Sequence, residues 1–310
     1  MRFVYGPVPS RRLGRSLGID PIPSKTCNYQ CIYCQLGKTT NLTNERTDFY
    51  PKEEIYKELE ECIDQNKRKF DYITFVGSGE PTLCKSLGKL ILKAKELSKK
   101  PICVITNGSL LYQEDVKYDL IFSDVVLPTL DAGDEKLFIK INRPHPSIRY
   151  ENIIQGYIDF RNKFNGKFWM EIMVMKGIND SKEELLKIKE KIELIQPDRV
   201  DVNIPIRPPT ESWVKIPDQT LIPILNDVFG DYNNITFPEQ GKFNVFGSNF
   251  EAELKILLER HPMRLEQILE TFTSKRFNEQ DLLYQLNILM SQNKIKKINY
   301  NNQTFWKLTN

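Results

Sequence analysis

The 310-residue sequence has little histidine, little net charge and no long apolar run. It contains 44 basic and 41 acidic residues, which leave a formal charge of +3. Such a balance neither requires nor excludes nucleic acid, but it excludes a surface coated with phosphate-binding charge. No apolar run approaches the ~18 residues of a membrane span, and the N-terminus, MRFVYGPVPSRR, lacks the apolar core of a secretion signal. We therefore expect a cytoplasmic protein with no membrane partner.

Cysteine is too sparse for a disulfide framework. The chain has six cysteines, three of them clustered near the N-terminus. In a reducing compartment, such a cluster indicates metal binding or catalysis. The others, Cys62, Cys84 and Cys103, are solitary within apolar segments, and we interpret them as core residues.

Short apolar or β-branched segments alternate with charged segments of helical periodicity. The predicted strands cover residues 16–22, 71–77, 101–107, 123–130, 168–175 and 199–205, and the predicted helices cover residues 52–67, 86–100, 149–164 and 181–195. Nearly continuous apolar strands are typical of a parallel sheet covered on both faces. Six βα units fall short of the eight in a complete barrel. We therefore predict an α/β fold with a partial (β/α)6 barrel over residues 1–245.

The pattern changes after residue 245, where VFGSNF (245–250) has the composition of a linker. Residues 251–310 contain three short amphipathic segments and two strand-like runs joined by Asn301 and Asn302, which are favourable turn residues. Three helices followed by a hairpin predict a winged-helix-like domain. Its nine basic and seven acidic residues are few for a DNA reader. We interpret it as an element that recognises a substrate or a partner.

The segment KTCNYQCIYCQLGK (25–38) places Cys27, Cys31 and Cys34 within eight positions. Three buried cysteines on one face of a helix would have this spacing. A structural zinc site needs four ligands, and the two histidines, His145 and His261, are distant in sequence. Thiolates also hold iron–sulfur clusters, normally four per cluster. With three, one iron keeps an open position for a small molecule.

The spacing C-x3-C-x2-C, with Tyr33 before the last cysteine, resembles that of the radical S-adenosylmethionine (SAM) enzymes. The resemblance implies that Cys27, Cys31 and Cys34 bind a [4Fe–4S] cluster whose fourth iron is chelated by SAM. It also implies reductive cleavage of SAM to a 5′-deoxyadenosyl radical, with Tyr33 near the adenine. A reductant such as a ferredoxin or a flavodoxin is then the expected partner.

A second motif, GSGEPTL (77–83), follows the second predicted strand and resembles the family's Gly-Gly-Glu segment. In the family, the backbone of that segment binds the methionine amino group of SAM. Gly77, Ser78, Gly79 and Glu80 are therefore expected to shape this site, since glycine permits close approach of the main chain. Ser78 stands where the family often has glycine. The alternative is an ordinary glycine-rich turn in which Pro81 starts a helix.

Three longer segments resemble the group related to wyosine-forming tRNA enzymes. They are residues 6–37, INRP (141–144) and RPPTESWV (207–214). The archaeal enzymes of that group carry a second cluster bound by cysteines upstream of the radical motif, whereas no cysteine precedes Cys27 here. The resemblance makes tRNA modification an expected function, and a different tRNA, a peptide or a small molecule is left open as substrate.

Polar residues near the ends of the predicted strands are further candidates. Asn107 and Asp131 follow the third and fourth strands and are placed to meet the ribose or the methionine head of SAM. An Asx-turn for Asn107 and a helix N-cap for Asp131 are the structural alternatives. Ser109, Glu171 and Asn203 are also expected to face the site.

The arginines outside the predicted strands have mainly structural interpretations. Arg11, Arg12 and Arg15 are predicted to form a solvated basic patch rather than a phosphate contact. Arg143 and Arg207 can bind a carboxylate or a phosphate, or form structural ion pairs.

Two other functions remain open. One is a radical activase or peptide-modifying enzyme that docks its partner through residues 251–310. The other is a zinc-containing nucleic-acid-binding protein without catalysis. Anaerobic reconstitution distinguishes the zinc protein from an iron–sulfur enzyme, because an iron–sulfur protein is brown whereas a zinc protein is colourless.

Overall fold

A computed structural model describes residues 2–66, 69–230, 233–235, 243–245, 249–273 and 277–309. The strands up to residue 245 are β1 (Val4–Ser10), β2 (Gly14–Ile19), β3 (Thr26–Cys27), β4 (Asn41–Leu42), β5 (Tyr72–Phe75), β6 (Ile102–Thr106), β7 (Val125–Pro128), β8 (Lys167–Met173), β9 (Arg199–Asn203) and β10 (Asn233–Ile235). The helices of the same part are α1 (Lys52–Asn66), α2 (Leu87–Leu97), α3 (Glu114–Leu120), α4 (Glu135–Asn142), α5 (Tyr150–Lys163), α6 (Lys182–Ile195) and α7 (Leu221–Phe229).

The main sheet is parallel, as predicted, except at one edge. Its order in the described residues is β1-β2-β5-β6-β7-β8-β9-β10. All six predicted strands are present, and each pair from β2 to β10 is parallel, whereas β1 is antiparallel to β2. Within the described part of the chain, β1 and β10 do not pair with each other, so the sheet is open. The parallel α/β fold is confirmed, with β1 and β10 as unpredicted edge strands.

Apolar faces of the predicted helices cover this sheet. The buried face of α6 repeats at helical spacing and consists of Leu185, Ile188, Ile192 and Ile195. Ser181 caps that helix through its hydroxyl, which accepts from the Glu184 amide. Cys62 and Cys103 are fully buried and Cys84 is nearly so, which confirms them as core residues.

Several short elements were not predicted, because their patterns are brief. Helices α3, α4 and α7 span only 7, 8 and 9 residues, and α7 also contains Pro223. Helix α4 is capped by Asp134, whose carboxylate accepts from the Leu137 amide at 2.8 Å. The N-cap alternative for Asp131 is therefore wrong. Pro81 does start a 3-10 helix, which ends at Leu83.

The C-terminal region, residues 249–309, contains the predicted helices and hairpin. Its elements are α8 (Phe250–Leu258), β11 (Met263–Arg264), α9 (Leu265–Phe272), α10 (Glu279–Ser291), β12 (Ile295–Tyr300) and β13 (Gln303–Leu308). Asn301 and Asn302 have φ of 49° and 59°, the left-handed backbone of the predicted turn. The unpredicted β11 pairs with β13 and completes an antiparallel sheet in the order β11-β13-β12. The winged-helix-like classification stays a prediction.

The junction between the two parts is more than a linker. Residues 246–248 of the predicted linker lie outside the described residues. Asn249 caps α8 by accepting from the Ala252 amide. Tyr5 and Val8 of β1 pack into the apolar cluster of the C-terminal region. The boundary between residues 245 and 251 stays a prediction. None of the described helices is both long and apolar enough to cross a membrane.

Candidate active site

Both sequence motifs open onto one cavity of about 350 Å³. Its lining includes Cys27, Cys31, Cys34, Gly77, Ser78 and Gly79. Cys27 ends β3, a short strand that follows β2, and the glycine segment follows β5, the neighbour of β2 in the sheet. The carboxyl ends of adjacent parallel strands thus bring the two motifs together, as the sequence predicts.

The cysteine segment is a loop and not a helix. Residues 28–40 form turns and bends between β3 and β4, which rules out three cysteines on one helix face. The loop is fixed to the end of α4, where the Gln30 and Ile32 amides donate to the Asn142 and Ile141 carbonyls, each at 3.0 Å. The spacing of the thiols is therefore set by the barrel.

The three cysteines are free and partly buried, and their sulfurs lie near amide donors. Cys27 Sγ accepts from the Tyr29 amide at 3.4 Å and from Asn107 Nδ2 at 3.7 Å. Cys31 Sγ accepts from Asn142 Nδ2 at 3.6 Å. Burial raises the pKa of Cys27 to about 12 and holds that of Cys31 well above its ordinary value. Metal binding at this site must therefore release protons.

The chemistry of the donor set fits an iron–sulfur cluster, which cysteine thiolates bind. His261 lines the cavity with the cysteines, although it is distant in sequence. A structural zinc site takes four ligands, whereas iron–sulfur clusters are bound by cysteine thiolates. Cys27, Cys31 and Cys34 are the residues that would hold such a cluster.

The glycine segment lies directly against the residues that precede the first cysteine. A Cβ on Gly79 would lie 1.8 Å from the Thr26 carbonyl oxygen, and one on Gly77 would lie 1.9 Å from Asp20 Oδ1. The Glu80 amide also donates to the Thr26 carbonyl at 3.1 Å. Only glycine permits this approach, so the two loops form one packed unit.

Glu80 organises the loops beneath the cavity. Its side chain is 1% exposed. The carboxylate accepts from the Thr82 amide at 3.0 Å, the Thr82 hydroxyl at 2.6 Å, the Thr106 hydroxyl at 2.5 Å and the Asn107 amide at 2.6 Å. Burial raises the pKa of Glu80, and these donors oppose the rise. Glu80 thereby ties the glycine segment to the end of β6.

Asn107 has both the structural role and a contact with the site. Its Oδ1 accepts from the Ser109 amide at 2.9 Å, which confirms the Asx-turn. Its Nδ2 donates to Asn28 Oδ1 at 2.7 Å as well as to the Cys27 sulfur. Asn28 in turn donates to the Ser109 hydroxyl at 2.7 Å. Contact between Asn107 and SAM stays a prediction.

Asp131 is engaged beneath Tyr33, which lines the cavity. The Tyr33 hydroxyl donates to Asp131 Oδ2 at 2.6 Å, and Asn142 Nδ2 donates to the same oxygen at 2.8 Å. Asp131 Oδ1 accepts from the Met173 amide at 2.8 Å. Burial raises the pKa of Asp131 to about 6. The predicted contacts of Tyr33 and Asp131 with SAM stay predictions.

The basic patch is only partly solvated, so the prediction is wrong for Arg12. The Arg12 side chain is 12% exposed, and its Nη1 lies 2.5 Å from Glu171 Oε1. The turn between β1 and β2 directs this arginine into the cavity, where Glu171 offsets its charge. Arg15 is 56% exposed, as predicted, and its Nε lies 3.5 Å from Asp71 Oδ2. Glu171 lines the cavity and also accepts from Asn203. A contact of Asn203 with the site stays a prediction.

Arg143 and Arg207 have structural partners. Arg143 forms an ion pair with Glu211. Arg207 Nη1 donates to Gln35 Oε1 at 2.8 Å, at the cavity wall.

Asp20, Gln35 and Arg260 also contact the loops of the site, although no sequence pattern singles them out. Asp20 lies inside the first predicted strand, residues 16–22, but directly follows the observed end of β2 at Ile19. Gln35 follows Cys34 directly and contacts Arg207, Arg260 and Lys307. Arg260 carries no local signal, since it follows an ordinary amphipathic helix.

Comparison with known proteins identifies the family of this chain. The family model of the radical SAM superfamily matches residues 22–188. The chain is 38% identical to the UPF0026 protein MJ1312 of Methanocaldococcus jannaschii over 99% of its own length and 96% of that protein. SuiB of Streptococcus suis, solved with the precursor peptide SuiA, superposes with a TM-score of 0.53 at 19% identity, over 72% of this chain and 48% of SuiB.

A structure of TYW1 with a lysine–pyruvate adduct aligns over 95% of this chain and 80% of TYW1, at 14% identity and a TM-score of 0.49. The family match contains all three clustered cysteines and the glycine segment. It covers more than half of the chain, and the similarity to MJ1312 extends over nearly all of it. The protein therefore belongs to the radical SAM superfamily of enzymes, among its UPF0026 members.

Proposed function

We propose that the protein is an iron–sulfur enzyme that reductively cleaves SAM, with a [4Fe–4S] cluster held by Cys27, Cys31 and Cys34. When bound, the cluster and SAM together supply a 5′-deoxyadenosyl radical, which abstracts hydrogen from a substrate. One observation carries the proposal: three free cysteines and a glycine segment without room for a side chain line the same cavity.

The chain's own residues orient and tune this site. Three thiolates leave one iron without a protein ligand, which suits chelation by SAM. The amides of Asn107 and Asn142 donate to the Cys27 and Cys31 sulfurs, and hydrogen bonds to cluster sulfurs influence the reduction potential. The main chain of the glycine segment, which lines the cavity, is proposed to bind the methionine head of SAM.

Anaerobic reconstitution tests the proposal. We expect a brown protein with about four irons per chain, a reduced electron paramagnetic resonance signal that changes when SAM is added, and 5′-deoxyadenosine after reduction with dithionite. A colourless protein that retains zinc would support the non-catalytic alternative. An unchanged signal on addition of SAM would contradict the proposal.

We also propose that the substrate is a tRNA. Arg12 and Arg207 line the cavity, and Trp213 is 48% exposed on the loop that follows β9. That loop adjoins the cysteines, because the Thr210 hydroxyl donates to the Cys34 carbonyl at 2.8 Å. Proteins commonly read RNA by stacking unpaired bases on exposed aromatic rings beside arginine.

Anaerobic crosslinking, sequencing of the bound RNA and proteomics on the same sample test this choice. The proposal would be supported if tRNA is enriched with the wild-type protein and less enriched with the Trp213→Ala variant. Tyr118→Ala is the control, since Tyr118 is 67% exposed on the outer helix α3. Enrichment of a peptide or of one large partner protein, without RNA, would instead favour a peptide-modifying enzyme or a radical activase.

Residues 251–310 are proposed to be a winged-helix-like domain that recognises this substrate. An apolar cluster supports the proposal, formed mainly by side chains of the region such as Leu254, Leu257, Ile268, Leu282 and Leu286. Tyr284 is 66% exposed on α10. We expect Tyr284→Ala to weaken tRNA binding without changing the iron content, as measured by gel shift and iron analysis.

The electron donor is proposed to be a cytoplasmic ferredoxin or flavodoxin. A reducing compartment would keep the three thiols available for the cluster. Cleavage of SAM should then proceed with either protein and its reductase in place of dithionite. If only dithionite supports cleavage, this choice of partner is wrong.

A further inference from the structure

Arg260 of the C-terminal region reaches the barrel beside the glycine segment. It follows α8 and is 6% exposed. Its Nη2 lies 3.2 Å from Asp20 Oδ2, and its Cζ lies 4.5 Å from the centre of the Tyr5 ring. Nη1 donates to the Ile256 carbonyl at 3.0 Å, and Nη2 donates to the Arg2 carbonyl at 3.2 Å. The guanidinium is thus fixed by both parts of the chain.

The carboxylate that Arg260 meets is the one that holds the glycine segment. Asp20 is 2% exposed. Its Oδ2 accepts from the Ser78 amide at 3.1 Å and from the Ser78 hydroxyl at 2.8 Å. Its Oδ1 faces the α-carbon of Gly77 so closely that no Cβ fits there. The serine that replaces the usual glycine therefore gives Asp20 a second donor.

Arg260 is the cation that faces the buried Asp20 carboxylate. Burial raises the pKa of Asp20, and Arg260 is the largest influence that opposes the rise. Removal of one partner from a buried ion pair is strongly destabilising, so loss of Arg260 would lead Asp20 to take up a proton or to move. Either change weakens its hold on Ser78.

A second contact joins the same region to the cysteine loop. Gln35 Nε2 donates to the Arg260 carbonyl at 3.0 Å, and Lys307 Nζ donates to the Gln35 carbonyl at 3.0 Å. Gln35 is the residue next to Cys34. The C-terminal region therefore contacts both loops of the candidate site.

We propose that Arg260 is a positioning residue, which fixes the glycine segment through Asp20 and Ser78. The C-terminal region then helps to set the affinity for SAM without touching it. This inference rests on the proposed function, in which that segment binds the methionine head. Partner or substrate binding at the C-terminal region would reach the SAM site by this route.

Two measurements on Arg260→Met test the proposal. The first is hydrogen exchange of residues 76–83 in the protein without SAM, where we expect faster exchange. The second is equilibrium binding of SAM to the reconstituted protein, where we expect affinity to fall on the order of tenfold with unchanged iron content. Arg264→Met is the control, since Arg264 belongs to the same region but precedes α9. If both variants had equal effects, Arg260 would contribute only to the general stability of the region, and the proposal would be overturned.

A double-mutant cycle makes the route specific. Ser78→Gly removes the hydroxyl donor together with the Cβ, keeps the amide donor, and is expected to weaken SAM binding about threefold. It should have no further effect in Arg260→Met if the two residues act through Asp20. Arg260→Lys keeps the charge and should restore most of the affinity. Independent, additive effects would contradict the route.

The outcomes separate this inference from the proposed function. If the wild-type protein fails to bind SAM, the proposed function is wrong, while hydrogen exchange still decides the link from Arg260 to Ser78. If SAM binds equally to wild type and Arg260→Met, and exchange is unchanged, the inference is wrong and the function stands. Should Arg260→Met fail to fold, Arg260→Gln, which also lacks the charge, and Ser78→Gly carry the same measurements, and wild-type exchange in both would overturn the inference.

Discussion

Around the loops of the candidate site, the barrel contributes buried carboxylates, whereas the C-terminal region contributes buried cations. The barrel encloses Asp20, Glu80 and Asp131, each 2% exposed or less, and surrounds them with amide and hydroxyl donors. The C-terminal region encloses Arg260 and Lys307, at 6% and 9%, and both reach barrel loops. The barrel therefore orders its loops from within by carboxylates, and the C-terminal region contacts them from outside by cations.

The largest effect is expected from a substitution in the cysteine loop, because neither the buried carboxylates nor the buried cations can take over the role of a cluster ligand. Cys31→Ala should abolish iron retention and cleavage of SAM, because two thiolates cannot hold the cluster. Iron analysis and 5′-deoxyadenosine formation after anaerobic reconstitution measure both. Cys103→Ala, a fully buried cysteine of β6, is the control and should keep its iron. Full iron in Cys31→Ala would refute the assignment.

The next effect concerns the best-connected carboxylate. Glu80→Ala should lower the free energy of unfolding by about 3 kcal/mol or more, because four buried donors lose their acceptor. Glu80→Gln keeps one acceptor oxygen and should cost less. Urea unfolding of the apoprotein gives both values. If Glu80→Ala cost no more than an average surface substitution, the barrel would not depend on its carboxylates.

Asp131 should give a smaller effect that depends on pH. Its pKa is raised from 3.8 to about 6, so its stabilising contribution is complete below pH 3.8 and is lost as pH rises through 6. Asp131→Asn has no carboxyl group at this position and does not lose stability in this way as pH rises. Its unfolding free energy, relative to wild type, should therefore rise with pH by up to about 3 kcal/mol and level off above pH 6.

Asp134→Asn is the matched control for that pH series. The Leu137 amide holds the pKa of Asp134 below its ordinary value. Its stabilising contribution is therefore lost as pH falls, and the difference from wild type should have the opposite slope. Parallel slopes in the two variants would show that burial does not govern Asp131.

The smallest effect is expected from a cation of the C-terminal region. Burial lowers the pKa of Lys307 to about 8, so its ammonium group is costly to enclose. Its hydrogen bond to the Gln35 carbonyl recovers part of that cost. Lys307→Met should therefore change the unfolding free energy by about 1 kcal/mol or less. A loss as large as that of Glu80→Ala would remove the contrast between the two regions.

Local patterns predicted the repetitive part of the fold. The six parallel strands, the longer helices, the hairpin at Asn301 and Asn302 and the three solitary core cysteines all follow from short-range periodicity and composition. Strand β1 was not predicted, since Gly6, Pro7 and Pro9 interrupt its pattern. Its antiparallel pairing is a tertiary contact that tolerates prolines at a sheet edge.

The candidate site was predicted in its motifs but not in its connections. Cys27, Cys31, Cys34 and the glycine segment share a cavity because neighbouring parallel strands end there. Arg12 was misread, since a basic run gives no sign that one member pairs with a glutamate 159 residues away. Contacts at such sequence separation depend on the assembled fold, and no short-range rule contains them.

The contact between Ser78, Asp20 and Arg260 has a consequence for the order of events during synthesis. Ribosomes deliver the barrel strands first, so the glycine segment exists long before the residue that completes its support. Cofactor that arrives on the nascent chain would meet a loop anchored by Asp20 alone. Productive loading with SAM should therefore be a late maturation step, which follows release of the residues around Arg260.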